Sequence, residues 1–387
     1  MWNTPKSGAT RHFGDYDMSF RASDSESRNL KFMNKKLLIF VLCAVAFISA
    51  SAQTRQNYVI GFYNLENLFD TYDDPVKNDE EYLPDGKNQW TEVKYQKKLH
   101  NMATVIAEMA KANNAFHTIL GVSEIENRLV LEDLVSQPEL AKANFQIVHY
   151  DGPDRRGVDV GLLYRADQFE YLGSESIPFS FEGTQVPITL TKEEQERFRT
   201  RDILMVHGLI AGEHFAFYVT HLPSRIGGKG GDLRSLGGDI IRRHSEKMSQ
   251  KFPGIKMVVM GDMNDDPFDD SMAKWLGAVR NVEDTPKGGF FNPFWQMHAD
   301  GYGSLAYRDV WSIYDQTIPS ETLVNAPEGT LKLQQVSKKG YYGVIFKRPF
   351  MVTQKGQYKG YPFRTFSNGK FMNGYSDHFP TYIVIGK

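Results

Sequence analysis

Short apolar runs recur along the chain from residue 58 onward, and polar turn residues separate them. Each run is rich in β-branched or aromatic residues and is bounded by Gly, Asp, Asn or Pro, which is the pattern of short β-strands. The pattern predicts strands over Tyr58–Tyr63, Thr118–Val122, Phe145–Tyr150, Val158–Tyr164, Ile203–Ile210, Phe215–Thr220, Lys256–Met260, Val310–Ile318 and Thr381–Ile385.

Two longer stretches carry apolar residues at helical spacing. One covers about Glu92–Ala112, where Leu99, Met102 and Ile106 share a face, and the other covers about Asp232–Lys251. Many strands with few intervening helices predict a layered domain of the α/β or α+β class. No linker rich in Pro, Gly or Ser divides the main part of the chain, so we expect one domain there.

The N-terminal region has the pattern of a secretory signal peptide. A basic start over residues 33–36 precedes an apolar run of 12 residues, 37–48, which is too short to span a bilayer as a helix. Ala50 and Ala52 then supply a small-x-small cleavage site. We therefore predict a signal peptide over residues 33–52.

This prediction implies that residues 1–32 are a disordered upstream extension and that Met33 is the true initiator. Residues 53–387 would form the mature domain, exported to the periplasm or the extracellular space, with no membrane span left after signal removal. An uncleaved N-terminal anchor is the alternative. A lipoprotein anchored through Cys43 is a weaker one, because only six apolar residues precede that cysteine.

Composition changes the picture in one respect. Hydrophobic residues make up 41% of the chain and charged residues 24%, which is ordinary globular composition. The formal net charge is −2, so the chain as a whole has no long-range attraction for polyanions. Any contact with nucleic acid must therefore come from a local patch of Lys and Arg.

Polar side chains stand at the ends of the predicted strands. The first two strands lead into Asn64 and Glu124, later strands lead into His221 and Asp262, and His378 comes just before the last strand. Each signal is weak by itself, since Gly-Asp-x-Asn, for example, is most often a turn. Together, the strands would gather these groups at one sheet edge, where sites are built in layered α/β folds.

The mixture of carboxylate, carboxamide and imidazole groups suits metal-assisted phosphoryl transfer. Mg²⁺ prefers oxygen ligands, usually one or two carboxylates together with waters and substrate phosphate. Asn and His donors neutralise charge on phosphate oxygens, and an imidazole held by a carboxylate acts as a base or a charge stabiliser. A zinc site is less favoured, since there is no cysteine pair and no His-x-x-x-His, and a serine triad lacks its Gly-x-Ser-x-Gly turn.

In their order along the chain, these residues resemble the endonuclease/exonuclease/phosphatase (DNase I-like) family, and in particular an exported bacterial branch of it. The resemblance spans about Tyr58 to Ile385. Its motifs are 64–67 (Asn-Leu-Glu-Asn), 123–127 (Ser-Glu-Ile-Glu-Asn), 156–159 (Arg-Gly-Val-Asp), His221, 261–267 (Gly-Asp-Met-Asn-Asp-Asp-Pro), 315–316 (Asp-Gln) and 376–378 (Ser-Asp-His).

The resemblance implies a four-layered α/β sandwich, in which two packed mixed β-sheets are flanked by helices. It also implies a metal site with Glu124 as the chief ligand and Asn64 beside it. Mg²⁺ is the expected ion, with Mn²⁺ or Ca²⁺ as alternatives. Asp262 would orient or deprotonate the attacking water, and Asn264 would bind the scissile phosphate.

Two histidines complete the implied chemistry. His378, held by Asp377, would act as the general base or stabilise the transition-state phosphate. His221 would contact a phosphate oxygen from the other side, with Asp315 as its partner. Which of Asp262 and His378 is the base stays open.

Three further residues are candidates for substrate phosphate contacts, namely Arg156, Arg225 and Tyr164. In exported relatives we expect Asn-His-Trp-Pro-Ser-Arg around the first histidine, whereas this chain has Thr-His-Leu-Pro-Ser-Arg over residues 220–225. The loop that frames His221 therefore differs from that of the exported relatives, and we expect its contacts with substrate to differ as well.

The function that follows from the resemblance is a metal-dependent phosphoesterase, most readily an exported nuclease acting on the phosphodiester bonds of nucleic acid. A phospholipid or inositol-phosphate phosphoesterase of the same fold is the alternative. It would need an exposed apolar hairpin, for which residues 290–295 are the candidate unless that segment is buried. A non-catalytic binding module is the third reading, and it is disfavoured because every expected catalytic position is present.

We expect the exported protein to begin at Gln53 when the full chain is expressed in a bacterial host, because cleavage follows the small-x-small sequence. Intact mass and N-terminal sequencing of the exported protein test this expectation. A protein that retains residues 33–52 would show that the segment is an uncleaved anchor.

Overall fold

Two mixed β-sheets lie face to face, and helices cover their outer faces. The structure is a computed structural model, and it describes residues 56–225 and 230–387. The predicted extension, 1–32, and the predicted signal peptide, 33–52, lie outside the described residues. No helix among the described residues has both the length and the apolar character needed to cross a membrane.

The strands are named here in chain order. They are β1 (Tyr58–Leu68), β2 (Ile119–Ile125), β3 (Phe145–His149), β4 (Asp159–Arg165), β5 (Phe169–Ile177), β6 (Ile203–Ile210), β7 (Glu213–His221), β8 (Lys256–Asp262), β9 (Ala278–Val279), β10 (Phe290–Phe291), β11 (Leu305–Tyr307), β12 (Val310–Ser312), β13 (Asp315–Pro319), β14 (Lys332–Leu333), β15 (Gly343–Ile345), β16 (Phe366–Ser367), β17 (Lys370–Phe371) and β18 (Thr381–Gly386).

The helices are named in the same way. They are α1 (Glu92–Asn113), α2 (Arg128–Val135), α3 (Lys192–Arg197), α4 (Gly231–Lys251), α5 (Trp295–Ala299) and α6 (Glu321–Val324). Short 3₁₀ or π turns occupy Glu80–Tyr82, Ala141–Ala143, Ser271–Leu276, Val282–Asp284 and Pro349–Met351.

Each large sheet contains one parallel pair of strands. The seven-stranded sheet A has the order β14-β18-β1-β2-β4-β3, with β15 also paired to β18. The five-stranded sheet B has the order β13-β8-β7-β6-β5. β1 and β2 are parallel in sheet A, and β7 and β8 are parallel in sheet B. The other neighbouring strands of both sheets are antiparallel.

Three apolar clusters hold these layers together. The inner faces of the sheets bury a common core that includes Phe62, Phe217 and Met260. The outer face of sheet A packs against α1 and α2, as through Leu99. The outer face of sheet B packs against α4, as through Ile240. The order helix, sheet, sheet, helix confirms the predicted four-layered α/β sandwich.

The predicted strands and helices recur with small shifts of their ends, and there are two kinds of difference. The predicted strand Val310–Ile318 is divided into β12 and β13, because the chain leaves one hairpin and enters sheet B between them. Among the longer elements, β5, α2 and α3 were not predicted, and several two- to five-residue strands and helices were missed as well. β5 is an edge strand with a single buried residue, Phe169, so it lacks the apolar pattern of a buried strand.

The aromatic segment over residues 290–295 is packed inside the protein. Phe290, Phe291 and Phe294 are buried, and Phe294 belongs to a small apolar cluster with Met297 and Ile313. The segment therefore does not form the exposed apolar hairpin that a lipid enzyme would need.

We expect Gly261→Ala to lower the free energy of unfolding by about 1–3 kcal/mol. An added Cβ would lie 2.1 Å from the carbonyl oxygen of Thr220 on the neighbouring strand, and that backbone cannot move without disturbing the β7–β8 pairing. Gly121→Ala is the control, because its Cβ would meet the flexible thioether of Met260. Denaturant unfolding of both variants measures the difference, and an equal or smaller loss at position 261 would contradict this account.

Candidate active site

The predicted site residues meet where the parallel strands of both sheets end. Asn64 and Glu124 lie near the carboxyl ends of β1 and β2, and His221 and Asp262 end β7 and β8. The β7–β8 register places His221 opposite Asp262, and Asp315 opens β13 on the other side of Asp262. Packing the sheets face to face brings these two edges together.

Irregular backbone directs several of these side chains. Glu66, Asn67, Glu124 and Asn264 have φ between 48° and 56°, in the left-handed region that non-glycine residues rarely adopt. The register of the β1–β2 pair shifts at Glu66 and Asn67, and that of the β2–β4 pair shifts at Glu124, so both are bulges. Bulges re-aim side chains, and strained backbone of this kind clusters at functional sites.

Asn64 joins two carboxylates from different sheets. Its Nδ2 donates to Glu124 Oε1 at 3.1 Å and to Asp262 Oδ2 at 3.0 Å. Its Oδ1 accepts the backbone N–H of Glu66 at 2.8 Å, which sets the orientation of the amide. In this arrangement Asn64 positions the carboxylates of Glu124 and Asp262, and its place at the metal site stays a prediction.

His378 pairs with Asp315, which corrects the partners implied by the resemblance. His378 Nδ1 lies 2.7 Å from Asp315 Oδ2, whereas Nε2 lies 3.9 Å from Asp377 Oδ1. Asp377 instead accepts a hydrogen bond from Arg364. The antiparallel β8–β13 pairing carries Asp315 beside Asp262, and so toward His378 and away from His221.

His378 is held from its backbone as well. Its N–H donates to Ser376 Oγ at 3.1 Å, and Ser376 Oγ donates to the carbonyl oxygen of Asn64 at 2.8 Å. Burial disfavours a charged ring, but the carboxylates of Asp315 and Asp262 outweigh it and hold the pKa of His378 well above its usual value. The ring is therefore a cation that aims Nε2 at the space beside Asp262, 3.9 Å from Oδ2.

His221 has the opposite charge state. Burial, with the positive charges of Arg201, Arg156 and His378, holds the pKa of His221 well below its usual value, so the ring is neutral. Its Nε2 lies 3.6 Å from Asp262 Oδ2. Its buried Nδ1 has no hydrogen-bond partner among the described residues.

Asp262 is the centre of the arrangement. Its Oδ1 accepts the backbone N–H of Asn264 at 2.9 Å, and Oδ2 faces Asn64 and both histidines. Burial raises the pKa of Asp262 to about 7; the carboxylates of Asp315 and Glu124 also raise it, while His378 opposes the shift. Asn264 itself donates from Nδ2 to the carbonyl oxygen of Leu222 at 3.0 Å, beside the site.

The side chains of Glu124, His221 and Asp262 form a group that can hold a divalent metal ion. One ligand atom from each lies within 4.8 Å of the others. A neutral imidazole and two carboxylates are suitable donors. The carboxylates of Glu124 and Asp315 lie close enough to Asp262 to raise its pKa, and a bound cation would offset the repulsion among these three groups.

Two of the three candidates for substrate phosphate contacts, Arg156 and Arg225, have different surroundings. Arg156 is exposed near Asp154, and its charge is close enough to lower the pKa of His221. The guanidinium of Arg225 is bound by Asp265, Asp269 and the carbonyl oxygen of Asn264, so it braces that loop instead of projecting as a free cation.

Tyr164 is not brought to the site. The antiparallel register pairs it with Ile119 at the start of β2, whereas Asp159, at the other end of β4, pairs with Ile125 beside Glu124. The sequence shows that Tyr164 is near the end of a strand, but it does not show at which edge of the sheet that end lies. This is why Tyr164 was wrongly predicted to contact the substrate phosphate.

Two supporting residues were missed by the sequence analysis. Arg201 is buried, donates to the carbonyl oxygens of His221 and Leu222, and pairs with Asp154 at 3.1 Å. A charged residue two positions before an apolar strand was the only signal for it. Arg364 lies in a loop with no local signal at all.

Arg364 links two carboxylates next to the site. Its Nε donates to Glu66 Oε1 at 3.2 Å and its Nη2 to Asp377 Oδ2 at 2.8 Å. Glu66 also lies 3.7 Å from the fully buried amine of Lys98. Burial and the charge of Asp377 raise the pKa of Glu66 to about 7, against the lowering effect of Lys98 and Arg364.

Comparison with known proteins agrees with this geometry. A sequence model described as the Endonuclease/Exonuclease/phosphatase family matches residues 59–387. No curated protein sequence matches the chain.

Among solved structures, the chain is similar to an endonuclease/exonuclease/phosphatase family protein from Bacteroides thetaiotaomicron, with a TM-score of 0.50 and 14% identity over 86% of this chain and 98% of that chain. It is also similar to a mannosyl-6-phosphatase from the same organism, with a TM-score of 0.49 and 15% identity over 85% of this chain and 99% of that chain. The human Nocturnin catalytic domain is similar with a TM-score of 0.45 and 14% identity over 86% of this chain and 98% of that chain. At 14% identity and a TM-score of 0.50, the similarity to the first of these proteins is evidence for the fold alone.

We expect Asp315→Asn to lower the pKa of His378, because it removes the carboxylate that stabilises the charged ring. The stability that the pair contributes is present at low pH and is lost as the pH rises through the folded pKa of His378, so the variant loses stability chiefly below that pKa. Histidine NMR titration of the protein in EDTA measures the shift, with His207 on β6 as an internal control.

Asp377→Asn is the matched variant for this measurement. Its carboxylate lies 3.9 Å from the ring, so we expect a smaller shift than Asp315→Asn produces. If Asp377→Asn lowered the pKa of His378 more than Asp315→Asn does, the pairing of His378 with Asp315 would be contradicted.

Proposed function

This chain belongs to the endonuclease/exonuclease/phosphatase family, and from that premise we propose that it is a metal-dependent hydrolase of phosphoester bonds. The observation that carries the proposal is the position of Asp262, which lies between the metal-binding group with Glu124 and His221 on one side and the charged His378–Asp315 pair on the other. Mg²⁺ is the ion we propose, with Mn²⁺ or Ca²⁺ as alternatives.

Glu124 would be the chief ligand of the ion, and His221 and Asp262 border the same space. Glu124 is the accessible member, with 18% of its side chain exposed, while Asp262 and His221 are nearly buried. Asn64 and the backbone N–H of Asn67 fix the carboxylate of Glu124. When bound, the ion supplies positive charge to the phosphate oxygens.

Asp262 is the general base in this proposal. Its Oδ2 lies 3.9 Å from His378 Nε2, so a water placed between them can give its proton to this oxygen. As the water oxygen bonds to phosphorus, its proton passes to Asp262. The bond from phosphorus to the leaving oxygen breaks, and that oxygen takes a proton from solvent.

His378 stabilises the charge that develops on the phosphate. The carboxylates of Asp315 and Asp262 hold the pKa of His378 above its usual value, which favours a ring that donates a hydrogen bond from Nε2 to the phosphate. Asn264 has one amide hydrogen beyond the one given to Leu222, which in this proposal is donated to the phosphate. Preorganised donors of this kind, in a site shielded from water, are a large part of enzymatic rate enhancement.

Among the substrate classes, a nucleic acid phosphodiester is favoured over a phospholipid. The apolar segment that would have inserted into a lipid surface is buried in the core, at Phe290, Phe291 and Phe294. A non-catalytic module is disfavoured because strained backbone and a buried, unneutralised cluster of carboxylates are costly features for a purely structural fold.

We also propose that the protein is exported. The support is the order of basic start, short apolar run and small-residue cleavage site over residues 33–52.

We expect Asp262→Asn to reduce hydrolysis of bis(p-nitrophenyl) phosphate by roughly 10²–10⁴-fold, the usual contribution of a general base. EDTA is expected to abolish the activity of the unsubstituted protein, and Mg²⁺ is expected to restore it. His378→Gln tests the stabilising role in the same assay. Absorbance of released nitrophenolate gives the rates.

The matched control is Glu328→Gln, an exposed acid far from these strand ends, which should keep full activity. Full activity of Asp262→Asn, or activity that survives EDTA, would contradict the proposed chemistry. Thermal unfolding of each variant distinguishes lost chemistry from lost structure.

A further inference from the structure

A wide groove opens directly beside the metal-binding group. Its volume is about 840 Å³, near the upper end of the roughly 300–1,000 Å³ of ligand pockets. Glu66, Asn67 and Arg364 line its inner end. Asn67 donates its backbone N–H to Glu124, so a ligand in the groove would lie next to the reacting phosphate.

Aromatic side chains form the walls of this groove, which we call the tyrosine groove, lined by Tyr82, Tyr307, Arg308, Lys355, Tyr358 and Arg364. Tyr307 is 67% exposed and Tyr358 is 39% exposed. Large aromatic rings left in solvent contribute little to folding, and their concentration beside a site points to a ligand with flat apolar faces.

The wall that carries Tyr307 is held in place. Arg308 and Asp309 form the two-residue turn between β11 and β12, and both have positive φ, of 49° and 64°. Tyr361 fixes this turn, since its hydroxyl donates to Asp309 Oδ1 at 2.7 Å and accepts the Asp309 N–H at 2.6 Å. A strained turn locked to the opposite loop keeps the groove open before any ligand binds.

Four cationic and three acidic residues line the groove, the acidic ones being Glu66, Glu81 and Asp309. Lys87 pairs with Glu81, and Arg364 pairs with Glu66 and Asp377. Within the described residues, Arg308 and Lys355 form no ion pair with a carboxylate. Arg308 instead lies over one face of the Tyr307 ring, 5.2 Å from its centroid. The groove therefore offers two cations without a carboxylate partner beside two exposed rings, those of Tyr307 and Tyr358.

This balance favours a single strand over a duplex. Duplex binding depends mainly on many Lys and Arg contacts to phosphates, and the base faces of a duplex are hidden within its own stack. A single strand exposes its bases, which stack on aromatic side chains without regard to sequence, and it needs fewer cations.

We propose that the tyrosine groove binds single-stranded nucleic acid, with its bases stacked on Tyr307 and Tyr358 and its phosphates near Arg308 and Lys355. The strand would lead one phosphodiester bond past Arg364 to Asp262. This proposal names the substrate of the proposed phosphoesterase and in that sense rests on it, but binding in the groove requires no catalysis.

The test is fluorescence anisotropy of the full chain in EDTA with three labelled ligands. They are a short thymidine oligonucleotide, an abasic strand of the same length, and the corresponding duplex. We expect the abasic strand and the duplex to bind roughly tenfold or more weakly than the thymidine strand, because they offer no free bases. Equal binding of the thymidine and abasic strands would overturn the proposal without any substitution being needed.

Variants locate the binding on the groove. Tyr307→Ala combined with Tyr358→Ala should weaken binding of the thymidine strand by roughly tenfold to hundredfold and leave that of the abasic strand little changed. Tyr171→Ala is the control, because this tyrosine is also exposed, at 41%, but lies on the edge strand β5. Unchanged binding by the double variant, or an equal loss from Tyr171→Ala, would overturn the proposal.

The two proposals fail in different ways. A protein that hydrolyses bis(p-nitrophenyl) phosphate but does not prefer the thymidine strand refutes the groove proposal and leaves the phosphoesterase standing. A protein that binds the strand through these tyrosines but hydrolyses no phosphoester refutes the phosphoesterase and leaves the groove proposal standing.

Discussion

The site depends on one contact between the two sheets, the hydrogen bond from Asn64 Nδ2 to Asp262 Oδ2 at 3.0 Å. Asn64 belongs to sheet A and Asp262 to sheet B, so the bond exists only when the inner faces are fully packed. The pairing of His378 with Asp315 crosses between the sheets in the same way. Both contacts are buried, where hydrogen bonds are stronger and broken ones are costly. The geometry of the site therefore depends on the packing of the core between the two sheets.

The electrostatics follow from that burial. Burial and the nearby carboxylates of Asp315 and Glu124 raise the pKa of Asp262, while the carboxylates of Asp315 and Asp262 raise that of His378. Burial has the opposite effect on His221, which stays neutral. Two histidines in one site thus take different charge states, because one is paired with a buried carboxylate and the other lies near arginines.

Strands and loops contribute differently to this molecule. The reacting groups come from strand ends and from bulges at Glu66, Asn67 and Glu124, where a rigid scaffold controls their positions. The tyrosine groove comes from the turn at Arg308 and from the loop that carries Tyr358, which are the parts of a fold that change most easily. The residues proposed to carry out the reaction and those proposed to bind the substrate therefore come from different parts of the fold.

The family resemblance implied the four-layered arrangement. The residues by themselves predicted most of the longer strands, the two long helices, the layered α/β class and the polar groups at the strand ends, because these features follow from periodicity and from residue types, which are local properties of the chain. The tertiary structure decided that Asp315 serves His378, that the amide of Asn64 turns its nitrogen to the carboxylates, that Tyr164 lies at the far edge, and that Phe290 is buried. Such outcomes depend on partners far apart in the chain, 198 residues for Asn64 and Asp262 and 63 for His378 and Asp315, and no local pattern encodes which distant side chain will be the neighbour.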